Sequence, residues 1–226
     1  MSKFYKIFLF LILFLPFQTH AENVSFKDDV ITFFTTIKTE KLDGVELYKR
    51  VSPSVYTIVA SNLKDSKPDL SDSSLGSAIA VGPKTLLTNC HLLYDKEVFS
   101  LIKNKVSKAA KMAYYDLDRD MCVLESTEEL PSYVHIRPYN DIEIGEDVYT
   151  IGSPWGYELT IANGIVSGKR EMRSVRFIQT NASMSLGSSG GGLFDSYGNL
   201  IGITTLYKED AQNLNFALAA EDFIKK

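Results

Sequence analysis

The chain has 226 residues, of which 45% are hydrophobic and 23% charged, and its formal net charge is −4. These values are typical of a folded globular protein and exclude a disordered chain. The negative net charge offers no attraction to nucleic acid or to an anionic membrane surface, so we expect neither as a partner.

The N-terminus predicts an export signal. Two lysines precede an apolar run from Ile7 to Phe17, which is too short to span a bilayer comfortably but is typical of a signal-peptide centre. The small residues Thr19 and Ala21 then stand where a signal peptidase needs them. We therefore expect removal of residues 1–21 and a secreted or periplasmic protein without a stable membrane anchor. The alternative is an uncleaved N-terminal anchor.

Residues 22–52 predict a helical N-terminal extension. In "FKDDVITFFTTIKTEKL" the apolar residues recur with a period close to that of an α-helix, and Asp28 and Asp29 lie in the first turn, as the helix dipole favours. A second short helix is predicted for "GVELYKRV", which ends before Pro53.

From residue 53 onward the pattern is that of β-structure. About a dozen short segments rich in β-branched and aromatic residues follow one another, most of them separated by Gly, Pro, Asn or Asp. Examples are "SVYTIVAS", "TLLTN", "MCVLE" and "VRFIQT". This spacing predicts an all-β sandwich or barrel fold. The segment "PSYVHIRPYND", with two prolines near residue 135, is interpreted as a connector between two β units.

The segment "SLGSSGGGLFD", from Ser185 to Asp195, surrounds two serines with glycines and contains the G-x-S-x-G pattern of a nucleophile elbow. The α/β-hydrolases that use this elbow place their histidine after the serine. The histidines of this chain are His20, His91 and His135, and none follows Ser189. Chain order therefore excludes the hydrolase elbow.

A serine nucleophile still needs an imidazole base. His91 lies at the end of the apolar segment "TLLTNCHLL", whereas His135 lies in the connector and is interpreted as structural. The base in turn needs a carboxylate that orients it. In "YYDLDRDMCVLE" only Asp120 directly precedes the apolar run that enters the core, while Asp116 and Asp118 are expected to face solvent.

No metal site is predicted. The Asp-x-Asp-x-Asp spacing of this segment is similar to the start of a calcium loop, but Met121 stands where such a loop requires glycine. No set of Cys and His has the spacing of zinc ligands. The order His91, Asp120, Ser189 is instead that of the chymotrypsin-like enzymes, in agreement with the all-β prediction.

With these residues in place, the chain resembles the HtrA/Deg-type trypsin-like serine proteases over roughly residues 44–222. The segments that carry the resemblance are "GSAIAVGPKTLLTNCHLL", "DLDRDMCVLE", "IGSPWGYELTIANGIVSG" and "FIQTNASMSLGSSGGGLFDSYGNLIGITT". The resemblance implies a protease domain over residues 53–226, built from two six-stranded antiparallel barrels at about 53–134 and 138–222. Ser188 departs from the pattern, because the family usually has Asn before its nucleophile.

The resemblance also implies the catalytic roles. Ser189 is the expected nucleophile, His91 the base and then the acid, and Asp120 the orienting carboxylate, with no cofactor. The backbone N–H groups of Gly187 and Ser189, with Ser188 between them, are expected to form the oxyanion hole. Ser188 is the competing nucleophile, but Ser189 is the residue that fits the G-x-S-G-G frame. The implied activity is that of a serine endopeptidase acting through an acyl-enzyme.

Specificity is predicted from the pocket positions. In the chymotrypsin-like enzymes that the chain resembles, the residue six before the nucleophile lies at the base of the primary pocket, so the resemblance implies this place for Ser183. Because Ser183 is uncharged, we expect small or medium apolar substrate residues there. Chymotrypsin-like enzymes also pair the substrate backbone with an edge strand, and the resemblance implies Ile203–Tyr207 as that strand, which adds Thr204 and Thr205 to the predicted pocket. Trp155 is interpreted either as pocket wall or as a buried turn aromatic.

The two cysteines flank the predicted base and acid. Cys90 adjoins His91, and Cys122 follows Asp120 by two residues, so the sulfurs are expected to lie near each other. They form either a disulfide, in an oxidising compartment, or two buried thiols. A Cys–His protease is disfavoured, because the Cys90 side chain should point away from its neighbour His91.

The sequence departs from many HtrA/Deg proteins after the protease domain. It ends at Lys226, shortly after the last predicted strand, so we expect no C-terminal PDZ domain. Family members often form trimers through N-terminal aromatic residues, and Phe26, Phe33 and Phe34 suit such a role, so both a monomer and a homotrimer are considered. The rival function is a catalytically silent binding protein on a protease scaffold.

Overall fold

The computed structural model describes residues 40–153, 159–185, 187–207 and 214–224. In this part of the chain, twelve strands form two closed barrels and one short α-helix precedes them. The predicted all-β fold with two six-stranded antiparallel barrels is therefore confirmed. The predicted signal peptide and residues 26–39 of the first predicted helix, with its three phenylalanines, lie outside the described residues, and residues 40–42 at the end of that prediction are not helical. No described helix has the length and apolar character needed to cross a membrane.

Helix α1, Gly44–Val51, forms where the sequence predicts the second short helix. The Asp43 side chain caps its N-terminus by accepting hydrogen bonds from the backbone N–H groups of the next turn at 2.9 Å. Leu47 and Val51, one turn apart, are fully buried. The helix ends at a 3₁₀ turn, Ser52–Ser54, because Pro53 lacks the N–H that continued helix would require.

The first barrel contains strands β1 to β6. Their bounds are β1 Val55–Lys64, β2 Lys67–Ala80, β3 Thr85–Thr88, β4 Val98–Lys103, β5 Val106–Asp116 and β6 Met121–Ser126. The strands close in the order β1-β2-β3-β6-β5-β4. Because β3 pairs with β6, the chain that leaves β3 and the turn that enters β6 lie side by side at one end of this barrel.

The second barrel contains strands β7 to β12. Their bounds are β7 Asp147–Gly152, β8 Thr160–Met172, β9 Val175–Thr180, β10 Gly192–Asp195, β11 Leu200–Tyr207 and β12 Asn215–Ala219. They close in the order β10-β11-β12-β9-β8-β7. The serine-rich segment lies between β9 and β10, so it belongs to this barrel.

One apolar cluster spans both barrels. It joins Val55, Ile79 and Leu87 of the first barrel to Phe194 and Ile203 of the second, and helix α1 packs into it. Continuous burial of this kind fixes the two barrels relative to each other, as burial of apolar area does within a single core.

The connector between the barrels is anchored by a buried ion pair. Arg137 donates to Asp195 at 3.2 Å and to Glu146 at 2.9 Å, and the Arg137 side chain is only 5% exposed. Burial acts to lower the pKa of the Arg137 guanidinium, but the hydrogen bonds and negative charges of Glu146 and Asp195 outweigh it and raise that pKa. The Asp141 carbonyl accepts a further hydrogen bond from the same guanidinium. The segment that contains His135 is thereby held on the second barrel, with the His135 carbonyl accepting from Leu200 N–H at 2.8 Å.

Candidate active site

His91 and Asp120 are in direct contact. The Nδ1 atom of the His91 ring lies 2.8 Å from Oδ2 of Asp120, and the backbone N–H of His91 donates to Oδ1 at 2.8 Å. Both carboxylate oxygens therefore hold the same residue, one through its ring and one through its backbone. The His91 side chain remains 47% exposed, so the far edge of the ring faces open space. A bond at Nδ1 places the acceptor lone pair of a neutral imidazole on Nε2.

Local chain geometry produces this contact. His91 lies in a 3₁₀ turn, Cys90–Leu92, that follows β3, and Asp120 ends the turn that enters β6. Asp120 has φ of +59°, in the left-handed region that Asp tolerates better than most residues. The pairing of β3 with β6 brings the two turns together.

A disulfide joins the same two turns. Cys90 and Cys122 are bonded, with their Cα atoms 5.0 Å apart, and both side chains are buried. This arrangement resolves the alternative that the sequence left open between a disulfide and two thiols. It also removes the sulfur of Cys90 from any role as a nucleophile beside His91.

Thr205 contacts the predicted orienting carboxylate. Its hydroxyl donates to Oδ2 of Asp120 at 3.0 Å, and it is absent from the cavity lining that includes Thr204. The register of β11 with β12 shifts between Thr204 and Leu206, so Thr205 is the extra residue of a β-bulge. Because neighbouring residues of a strand point to opposite faces, Thr205 and Thr204 have different surroundings. Thr205 thus has a contact with the Asp120 carboxylate that the sequence did not indicate, and its place in the substrate pocket stays a prediction.

Ser189 lies in a turn held against the first barrel by backbone contacts. Its carbonyl accepts from the Ser77 N–H at 2.9 Å. The next residue, Gly190, donates its N–H to the Asn89 side chain at 2.7 Å and to the Thr204 carbonyl at 2.9 Å. Since Asn89 is two residues before His91, these contacts bring the predicted nucleophile segment beside the predicted base.

The turn before Ser189 is closed by two reciprocal bonds. The Ser188 N–H donates to the Ser185 carbonyl at 2.9 Å, and the Ser185 N–H donates to Oγ of Ser188 at 3.1 Å. The Ser188 N–H is thus already used. Gly187 has φ of +87°, and among the described residues no acceptor meets the N–H of Gly187 or of Ser189. Two backbone donors at alternate positions of a turn form the kind of group that stabilises an oxyanion.

A cavity of about 120 Å³ opens next to this turn. Ser183, Ser188 and Thr204 are among its lining residues, together with Ile151 and Ala162. The Thr150 hydroxyl donates to the Ser183 carbonyl at 3.1 Å and so fixes one wall. No described lining residue is charged, and the cavity is therefore suited to a small uncharged side chain. Trp155 lies outside the described residues.

The two-barrel fold is that of a trypsin-like peptidase. Residues 76–203 match the trypsin-like peptidase domain family, and the chain belongs to that family. This range contains each of the predicted catalytic residues and most of both barrels.

Individual relatives are proteases of the Do, Deg and HtrA groups. The chain is 36% identical to "Protease Do-like 5, chloroplastic" of Arabidopsis thaliana over 72% of this chain and 59% of the relative. It is 29% identical to "Serine endoprotease DegS" of Haemophilus influenzae over 95% of this chain and 66% of the relative. A solved structure described as "HtrA-type protease AlgW with tripeptide" superposes with a TM-score of 0.70 at 27% identity, covering 80% of this chain and 60% of that one. The chain thus spans about three fifths of the length of these proteins.

Proposed function

We propose that this protein is a serine endopeptidase that hydrolyses peptide bonds through an acyl-enzyme. The observation that carries the proposal is the 2.8 Å contact between Nδ1 of His91 and Oδ2 of Asp120. It orients the imidazole so that Nε2 is left to accept the proton of an alcohol. Family membership and the placement of the Ser189 turn against Asn89 support the same assignment.

The reaction follows from these roles. Oγ of Ser189 attacks the carbonyl carbon of the substrate while its proton passes to Nε2 of His91, and the Asp120 carboxylate stabilises the resulting imidazolium. The negative oxygen of the tetrahedral intermediate is bound by the N–H groups of Gly187 and Ser189. His91 then gives the proton to the leaving amine, and water, activated by the same imidazole, releases the acyl group.

We propose that the primary subsite accepts small or apolar side chains. The lining contains hydroxyls and aliphatic groups but offers no described carboxylate to pair with the cation of Arg or Lys. Burying an unpaired cation there would cost several kcal/mol, as burial of unpaired charge generally does. Ser183 is the lining residue whose replacement tests this idea most directly, because a carboxylate at that position would supply the missing partner.

We also propose that the protein is exported and that its signal peptide is removed. Residues 1–21 have the order of charge, apolar run and small residues that a signal peptide requires, and a relative from Hahella chejuensis, 35% identical over 53% of this chain, is named a probable periplasmic endoprotease. Mass spectrometry of the secreted protein would identify a new N-terminus at Glu22.

A fluorophosphonate probe tests the catalytic proposal. The wild-type protein should be labelled at Ser189, and both labelling and peptide hydrolysis should be lost in Ser189→Ala. Ser188→Ala is the comparison variant, because it removes the adjacent hydroxyl, together with its bond to the Ser185 N–H, but keeps the Ser189 hydroxyl. Labelling of Ser189→Ala but not of Ser188→Ala would reassign the nucleophile. A folded wild-type protein that is never labelled would favour the silent binding protein.

The specificity proposal has its own test. Cleavage of a peptide library should show small or apolar residues before the scissile bond, and Ser183→Asp should shift cleavage toward Arg and Lys. Selection of basic residues by the wild-type protein would contradict the proposed pocket without affecting the assignment of Ser189.

A further inference from the structure

The buried side chain of Asn89 connects the turn that contains Asp120, in the first barrel, to the turn that contains Ser189, in the second barrel. Asn89 is fully buried, with 0% exposure. Its Oδ1 atom accepts from the Gly190 N–H at 2.7 Å, and its Nδ2 atom donates to the Asp120 carbonyl at 3.2 Å. A backbone N–H can only donate and a carbonyl can only accept, so these partners also fix which way the amide faces.

Both partners adjoin the proposed catalytic groups. Gly190 directly follows Ser189, and the carboxylate of Asp120 holds the His91 ring. The base and acid belong to the first barrel and the nucleophile to the second, so their alignment depends on contacts that cross between the barrels. We propose that Asn89 is a positioning residue that sets the Ser189 turn in register with the His91–Asp120 pair. This inference rests on the proposed peptidase function.

Two observations indicate that Asn89 positions the catalytic groups and contributes little to the stability of the fold. Each backbone group that Asn89 binds has a second partner: the Gly190 N–H also donates to the Thr204 carbonyl at 2.9 Å, and the Asp120 carbonyl also accepts from the Cys90 N–H at 3.4 Å. Loss of the side chain therefore leaves neither group without a hydrogen bond, which limits the cost in stability. Each of these two bonds lies within one barrel, whereas the Asn89 bridge connects the two barrels. Without Asn89, the bond from the Ser77 N–H to the Ser189 carbonyl and the bond from Thr205 to Asp120 still cross between the barrels.

Asn89 is also absent from the cavity lining, where substrate is expected to bind. Its loss should therefore act on the chemical step and leave substrate affinity unchanged. A displacement of reacting groups by about 1 Å is enough to cost on the order of 100-fold in rate. The expected signature is a lower kcat at constant KM.

Two variants dissect the bridge. Asn89→Ala removes both hydrogen bonds, whereas Asn89→Asp has nearly the same shape and retains an acceptor for Gly190 but replaces the donor to Asp120 with an oxygen. The control is Asn199→Ala, because Asn199 is also buried and its amide donates to Asp195 at 2.9 Å, in a turn that the proposed mechanism does not use. Wild type and Ser189→Ala are assayed first, so that failure of the proposed function is recognised separately.

With an active wild type, kcat for a peptide substrate should fall about 10- to 100-fold in both Asn89 variants, with KM within about twofold. Asn199→Ala should keep its kcat despite a comparable loss of thermal stability. If Asn89→Ala does not fold, Asn89→Asp decides the question. The proposal is overturned if the Asp variant keeps a kcat within about threefold of wild type, if the loss appears in KM, or if Asn199→Ala loses as much kcat.

Discussion

The Thr205 hydroxyl donates to Oδ2 of Asp120, the same oxygen that accepts from the His91 ring. One carboxylate oxygen is thus held between a residue of the second barrel and a residue of the first. The contact ties the acid to β11, beside the strand residue Thr204 that lines the cavity. Thr205 therefore links the Asp120 carboxylate to the strand that contributes Thr204 to the cavity.

Replacing Thr205 by Val should slow catalysis while preserving the fold. Val keeps the branched shape but removes the donor, and a hydrogen bond to a charged group contributes roughly 1.5–3 kcal/mol, which corresponds to about 10- to 100-fold in kcat. Thr205→Ser keeps the hydroxyl and should retain most activity. Steady-state kinetics on both variants measure the effect, and equal activity in Val and Ser variants would show that the hydroxyl is not needed.

Replacing Gly190 by Ala should disrupt the Ser189 turn. Gly190 has φ of +77°, and an added Cβ would lie 1.9 Å from the Ser77 carbonyl oxygen and 2.5 Å from Oγ1 of Thr88. Backbone would have to move, so we expect a loss of more than about 3 kcal/mol in stability and most of the activity.

Gly145→Ala is the matched control for that variant. Gly145 has φ of +95° but nothing within 4 Å of an added Cβ, so it tests the backbone conformation without the collision. It should cost only about 1–2 kcal/mol and leave kcat unchanged. Denaturant unfolding of both variants in the Ser189→Ala background, which avoids self-cleavage, makes the comparison. Equal losses in the two variants would contradict the steric argument.

The disulfide should contribute substantially to stability. Cys90 and Cys122 are separated by 32 positions, and closing a loop of that length stabilises a folded protein by about 3–4 kcal/mol on the chain-entropy estimate. The double variant Cys90→Ala/Cys122→Ala should lose about this amount in the Ser189→Ala background. A reductant should lower the stability of the parent protein and leave the double variant unaffected. A variant that still responds to reductant would show that the effect comes from elsewhere.

Lys103 should titrate far below an ordinary lysine. Burial lowers its pKa from 10.5 to about 8, although its ammonium donates to the carbonyls of Ser52 and Val55 and lies 5.2 Å from the centre of the Tyr56 ring. Between these pKa values the unfolded state binds more protons than the folded state. The contribution of Lys103 to the free energy of unfolding therefore rises as pH increases from about 8 toward 10.5.

Lys103→Met isolates that contribution. The stability of the parent protein relative to this variant should increase between pH 7 and pH 9.5 by on the order of 1 kcal/mol, a figure reduced for the solvent that reaches the half-buried nitrogen. Denaturant unfolding at several pH values, again in the Ser189→Ala background, gives the difference. A constant difference across this range would contradict the lowered pKa.

Local sequence patterns predicted the class of fold because strand and turn residues alternate so regularly. They missed strand β5, Val106–Asp116, and the first half of β2, which begins at Lys67. Both stretches are rich in charged or polar residues, which local propensity does not associate with strands. Lys111 is exposed, whereas Lys108 lies on the same strand face as the buried Ala110 and its ammonium pairs with Glu128. Barrel closure supplies the backbone hydrogen bonds that local propensity does not reveal.

The order of His91, Asp120 and Ser189 made them candidates before any contact was known. Asn89 and Thr205 carried no comparable signal, because each acts through a partner far away in the chain. The register of β3 against β6 and the bulge in β11 bring these partners together, and both depend on the closed barrels. A polar residue two positions from a predicted base is the signal that would have directed attention to Asn89.

The proposed nucleophile Ser189 belongs to the second barrel, whereas the His91–Asp120 pair belongs to the first. The disulfide lies entirely within the first barrel. The catalytic rate therefore depends on the position of one barrel relative to the other. Far-ultraviolet circular dichroism reports secondary structure and does not detect a change in that position. Mild warming that weakens the packing between the two barrels in the shared apolar cluster, without breaking the strand pairing, would abolish peptide hydrolysis. Inactivation should therefore precede melting, and cooling should restore function without any refolding of the barrels.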